Sequence, residues 1–111
     1  MSIKVAEYED VTVLTVNDEL TMDTVGPFNE RAADCLDGGC FNIVVDCSSI
    51  AGFDSAGLEA LLLLQDKCED QFGAVKLCGL DQTCAKILEI TRLARRFEMF
   101  EDLESTVRSF R

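Results

Sequence analysis

The chain has no histidine and no tryptophan, a single proline, and only 10 basic residues against 21 acidic ones. Each shortage removes a class of function. Serine is a weak nucleophile unless a base adjoins it, so the absence of histidine excludes the Ser-His and Cys-His arrangements. With neither histidine nor a CxxC pair, zinc-site and thioredoxin-type readings lose their usual ligands. A formal net charge of -11 repels phosphate backbones and anionic lipid heads, which makes nucleic acid and membrane poor partners. The natural partner is expected to offer a basic or apolar face. No apolar run approaches the roughly 18–20 residues that span a bilayer. The opening MSIKVAEYED is acidic where a signal peptide would need its apolar region. A cytoplasmic location is the expectation.

What is present is core-forming material. Of the 111 residues, 48% are hydrophobic, enough for one domain over 1–111 to fold without staples. Cys35, Cys40, Cys47, Cys68, Cys78 and Cys84 lie mostly in apolar runs such as VKLCGL. There cysteine behaves as a small hydrophobe, and the reading is buried structural thiols. No metal or cofactor is expected.

IKVAEY at 3–8 and VTVLTV at 11–16 alternate apolar and polar, which predicts an adjacent strand pair. NDELTMD then reads as turn, with Asp23 as N-cap of a helix carrying Val25, Phe28, Ala32 and Leu36 on one face. Pro27 fits the first turn, and DGG at 37–39 closes the helix. FNIVVD at 41–46 predicts a buried strand, followed by a loop to Phe53. A helix from Ser55 to about Gln71 should bury Leu58, Leu61, Leu62 and Cys68, and its further leucines make it the most buried helix. GAVKLCG at 73–79 predicts another strand. A helix capped by Asp81 follows, facing inward through Cys84, Ile87 and Leu88. RRFEMF at 95–100 alternates through Phe97 and Met99 and reads as a short last strand, and Leu103, Val107 and Phe110 mark a docked terminal helix. The order β-β-α-β-α-β-α-β-α gives an α/β domain with a mixed, mostly parallel sheet of about five strands and about four helices.

GFDSAGLEALLLL at 52–64 holds the one arrangement that invites chemistry. Lys67 stands about three turns beyond Ser55 on the same predicted helix, too far to act as its base. Asp46 and Asp54 flank one segment, yet in so acidic a chain their proximity is ordinary. The chain is read as no enzyme. Either Asp54 or Ser55 can cap the helix, leaving the other free. Ala56 and Gly57 leave the Ser55 hydroxyl open, and a glycine in a first turn suits close approach of something to the backbone. An open serine at a helix start can accept a phosphoryl group, whose charge the free N–H groups and macrodipole tolerate. Ser48 and Ser49 stay open as other phosphosites.

VVDCSSIAGFDSAGLEALL closely resembles the signature of STAS domains, the bacterial anti-sigma factor antagonists and their relatives, with Asp46, Ser48, Ile50, Asp54, Ser55, Gly57 and Leu58 matching. NDELTMDT stands in place of that family's early Gly-Glu-Leu-Asp turn. The resemblance implies that Ser55 is phosphorylated by an anti-sigma factor serine kinase, which the unphosphorylated protein binds and sequesters. It implies a serine phosphatase that resets the switch. It also implies a partner-binding surface of Gly52, Phe53, Asp54, Ser55, Ala56 and Gly57, with Thr21 and Asp23 at its edge. Asp54 would position the hydroxyl, and Gly57 would admit the partner. The alternative is a non-switching STAS subunit of a stress-sensing or lipid-transport assembly, with Ser55 as a cap alone. Gly52 departs from the family's usual aromatic residue, which implies a looser loop. Arg92 replaces a glycine often found before Leu93, and with Arg95 and Arg96 it is read as a solvated turn.

Overall fold

Alternation along the strands builds two cores on one sheet. The computed structural model describes residues 3–110; residues 1, 2 and 111 of the expected domain lie outside the described residues. The strands are β1 (Ile3–Tyr8), β2 (Val11–Leu20), β3 (Asn42–Phe53), β4 (Ala74–Cys78) and β5 (Glu98–Phe100). They lie in the order β1-β2-β3-β4-β5. β1 pairs antiparallel with β2, and every other pair is parallel. The helices are α1 (Val25–Asp37), α2 (Ser55–Asp70), α3 (Gln82–Ile90) and α4 (Leu103–Arg108), with a 3-10 turn at Leu93–Arg95.

Successive strand side chains point to opposite faces. Leu14, Val16, Ile43, Val45, Val75 and Leu77 pack under α1, α2 and α3, together with Phe28, Leu61, Leu64 and Leu88. Val11, Val13, Val44 and Cys78 face the other way, where Leu103, Val107 and Phe110 cover them. The predicted terminal helix is thus docked, although Phe110 lies just past its end.

Four expectations about strands, caps and thiols are corrected. The turn expected from Asn17 is strand: β2 runs on to Leu20 through two register shifts, with Asp18 at φ 75°. The loop expected from 47 to 53 is also strand, since Glu19 pairs with Gly52 and Leu20 with Phe53. Past Asp46 this stretch has lost β4, which ends opposite it. A strand paired on one side needs no apolar run, so its small polar residues misled. The N-cap of α1 is Thr24 rather than Asp23, and Thr24 makes no side-chain cap bond. The last correction concerns the thiols, since Cys35 and Cys40 are only half-buried while the other four are buried.

α2 carries six buried residues, the most of the four helices, but its face is rotated from the expected one. Leu63 is exposed, Leu58 and Leu62 are partly so, and Gln65 is buried. Gln65 replaces a missing rung of sheet. Below the start of β5, its Oε1 accepts the Val75 N–H at 2.6 Å. Its Nε2 donates to the Val75 and Arg96 carbonyls at 3.1 and 2.5 Å. Buried backbone groups without partners cost about 1–3 kcal/mol each, so a polar side chain stabilises this position where a leucine would not.

Arg92 sits at φ 66°, in the left-handed region that favours glycine. Arg96 is more than a solvated turn residue, because it grips Asp66 and Glu69 of α2 at 2.6 and 2.8 Å.

Candidate functional site

β3 delivers its last residue, Phe53, directly into the start of α2, so Asp54 and Ser55 stand at the upper end of the parallel strands. Asp54 is the N-cap, in extended conformation, and its Oδ1 accepts the Gly57 N–H at 2.9 Å. Its other oxygen accepts the Met22 N–H at 2.9 Å. One carboxylate therefore ties the β2–α1 turn to the α2 terminus. These two N–H donors, Met22 first, hold its carboxyl below the usual carboxylate range.

The cap is therefore Asp54. Ser55 is the first residue of α2, exposed, and among the described residues its hydroxyl has no hydrogen-bond partner. Ser48 differs: its hydroxyl donates to Asp46 Oδ1 at 2.8 Å, and its Cβ stands 2.9 Å from where a Cβ at Gly79 would go.

Gly57 is buried, and its reason is internal. A Cβ there would lie 1.9 Å from the Leu20 carbonyl oxygen, so the close approach inferred from sequence is that of the chain's own β2. Gly52 is the reverse case, with open space where a Cβ would go. The looser loop expected there is ordered strand. Phe53 is half-buried against the main core and Ala56 is half-exposed.

The turn beside Ser55 is held by its own bonds. Thr24 Oγ1 accepts the Thr21 N–H at 2.8 Å and donates to the Glu19 carbonyl at 2.8 Å. The N–H groups of Thr24 and Val25 both donate to the Thr21 carbonyl. Asp23 is exposed. Sequence reading passed over Met22, between the two residues singled out. Its side chain is 74% exposed while its backbone is fixed to Asp54. The bond that fixes it is tertiary, to a residue 32 positions away, and the sequence carries no sign of it.

The structure thus brings Thr21, Met22, Asp23, Gly52, Phe53, Asp54, Ser55 and Ala56 to one end of the molecule, with acids and no cation among them. A cavity of about 700 Å³ lies on the α4 side against Tyr8, Leu103 and Val107. Among the described residues no group of His, Cys, Asp or Glu could hold a metal ion. Nor is any helix there long and apolar enough to cross a membrane.

A single α/β domain with a mixed five-stranded sheet and a free serine opening the second helix defines the class. The STAS domain family model matches residues 2–106, and the chain belongs to that family. No curated protein matches it in sequence. Its fold is similar to an anti-sigma factor antagonist from Mycobacterium paratuberculosis, at 18% identity over 97% of this chain and 92% of that one, TM-score 0.87. It is similar to the Bacillus cell fate determinant SpoIIAA in its phosphorylated form, at 17% identity over 99% and 100%, TM-score 0.79. A sulfate transporter family protein from Wolinella succinogenes shares it too, at 15% identity over 91% and 84%, TM-score 0.75. At these identities the likeness shows the fold.

Proposed function

We propose that this protein is an anti-sigma factor antagonist, a non-enzymatic regulator of transcription that binds and sequesters an anti-sigma serine kinase until Ser55 is phosphorylated. A serine phosphatase restores binding, and the whole cycle is cytoplasmic, without nucleic acid or membrane. The observation that carries this reading is the division of labour between neighbours. Asp54 takes both structural bonds, so the adjacent hydroxyl is unbonded and exposed. The kinship with a family that includes phosphorylated members supports it.

Phosphorylation adds ~1.5–2 negative charges at neutral pH. Another acid about 5 Å away on the partner then repels it by ~3 kcal/mol at an effective dielectric of 20, on the order of a hundredfold in affinity. None of the residues gathered around Ser55 from 21–23 and 52–56 is a cation that could offset the charge. Thr21, Met22, Asp23, Gly52, Phe53 and Ala56 form the partner's footing, and buried Gly57 serves it only by seating Leu20.

The test is incubation with candidate anti-sigma kinases and ATP, followed by mapping of the label and measurement of binding. Label at Ser55 is expected, with Ser55→Ala bound permanently and Ser55→Glu bound about a hundredfold more weakly at unchanged melting temperature. Absence of label with every cognate kinase would favour the constitutive subunit instead. A marked loss of stability in Ser55→Ala would restore the cap role to the serine.

A further inference from the structure

The six thiols divide four to two. Cys47, Cys68, Cys78 and Cys84 are at most 2% exposed, whereas Cys35 and Cys40 reach the surface at the C-terminal end of α1. That end is a Schellman motif. The Cys40 N–H donates to the Cys35 carbonyl at 2.9 Å, and the Gly39 N–H donates to the Leu36 carbonyl at 3.0 Å, with Gly39 at φ 81°. In this motif the side chains of the two residues joined by the longer loop meet, normally as an apolar contact. Here both are cysteines.

Two further observations bring the sulfurs together. The Thr12 hydroxyl lies 2.7 Å from Cys40 Sγ, and Thr12 lines the same small cavity as Cys35. Both cysteines line one cavity of about 230 Å³, and Cys40 also opens onto a second of about 430 Å³. Given standard backbone dimensions, the 2.9 Å bond holds the two Cα atoms within about 6.8 Å. A disulfide can bridge that span.

We propose that Cys35 and Cys40 form a reversible dithiol–disulfide site whose oxidant is a low-molecular-weight disulfide of the glutathione type. The Cys40 thiolate attacks one sulfur of the oxidant, forming a mixed disulfide and releasing the first small thiolate. The Cys35 thiolate then attacks Cys40 Sγ, forming the protein disulfide and expelling the second. The two protons given up by the protein thiols end on the two small thiols, so one disulfide is reduced as one is formed. Burial pushes the Cys35 thiol up, as do Cys40, Asp34 and Glu7 nearby. That suits Cys35 to the second, intramolecular step, where proximity compensates for a small thiolate fraction. The bridge lies at the opposite end of α1 from Met22 and is independent of the Ser55 reading.

Full-length protein in a graded series of reduced and oxidised glutathione, quenched with acid and alkylated, tests this. Intact mass should show the loss of two hydrogens. Peptide mapping should place the link between Cys35 and Cys40, and dithiothreitol should reverse it. Cys35→Ser, checked for folding by circular dichroism, should stop at a glutathione adduct on Cys40. A wild-type protein that halts at that adduct, a bridge to any other cysteine, or thiols untouched across the series would each overturn the proposal. The wild-type readout stands even if the variant does not fold.

Discussion

Replacing Gly57 by alanine sets two effects against each other, and the structure decides which wins. Alanine in a helix is favoured over glycine by up to about 1 kcal/mol, so local propensity alone predicts a stabilised protein. The new methyl would sit 1.9 Å from the Leu20 carbonyl oxygen and 2.7 Å from its carbon. It falls roughly 1.5 Å short of ordinary contact at 3.4 Å. The obstacle is backbone, anchored by the fully buried Leu20 side chain and by the Asp54 N–H, which donates to the same oxygen at 3.4 Å. Overpacking against rigid atoms costs about 1–3 kcal/mol, and displacing Leu20 also strains the neighbouring Met22–Asp54 bond. With the helix gain subtracted, a net loss of up to about 2 kcal/mol is expected, a large share of the roughly 5–15 kcal/mol that holds a typical domain. Gly52→Ala is the matched control. With open space at its Cβ it should be neutral or gain ~0.4–1 kcal/mol from the unfolded state. Urea unfolding followed by circular dichroism reads both. Equal stabilities for the two variants, or a Gly57→Ala midpoint at or above the wild-type value, would refute the reasoning.

Other perturbations test other parts of the fold. Arg92→Gly relieves a left-handed residue at φ 66°. It should raise stability by about 0.5–1 kcal/mol after glycine's own entropic cost, read as a shift of the urea midpoint at unchanged slope. Asp54 has its carboxyl held below the ordinary 3.8. Its contribution is therefore present above that value and lost as pH falls through the lowered one. Unfolding midpoints of Asp54→Asn should accordingly fall less steeply than wild type in the acid limb below about pH 4, and parallel curves would remove Asp54 from the account.

Strands and helices were legible where alternation, a short apolar run or helical spacing marked them in the sequence itself. β1 and the first half of β2 follow from alternation, β4 from a short apolar run between glycines, and the cap at Asp81 from short-range chemistry. What escaped depends on partners distant in sequence. The tail of β3 is strand because β2 pairs with it, and its serines carry no trace of that bond. Gly57 signals close approach, but only the folded chain shows Leu20 as the neighbour. Thr24 displaces Asp23 as the cap because its hydroxyl is drawn back to Glu19 and Thr21. Met22 and Gln65 were silent, one an ordinary apolar residue in a turn, the other a polar residue in a leucine-rich helix. At the site itself, the sequence pattern was enough to single out Asp54 and Ser55, and the assignment of the cap to one of them required the geometry.

The amide of Gln65 has an outcome for solubility. Any sheet that stops short leaves a stretch of backbone able to recruit a stray strand, the opening step of edge-to-edge aggregation. At Val75 that stretch is already occupied by a side chain from the protein's own helix. An intruding polypeptide would have to evict a buried amide before it could pair there, which leaves β1 as the longer flank still open to strand addition.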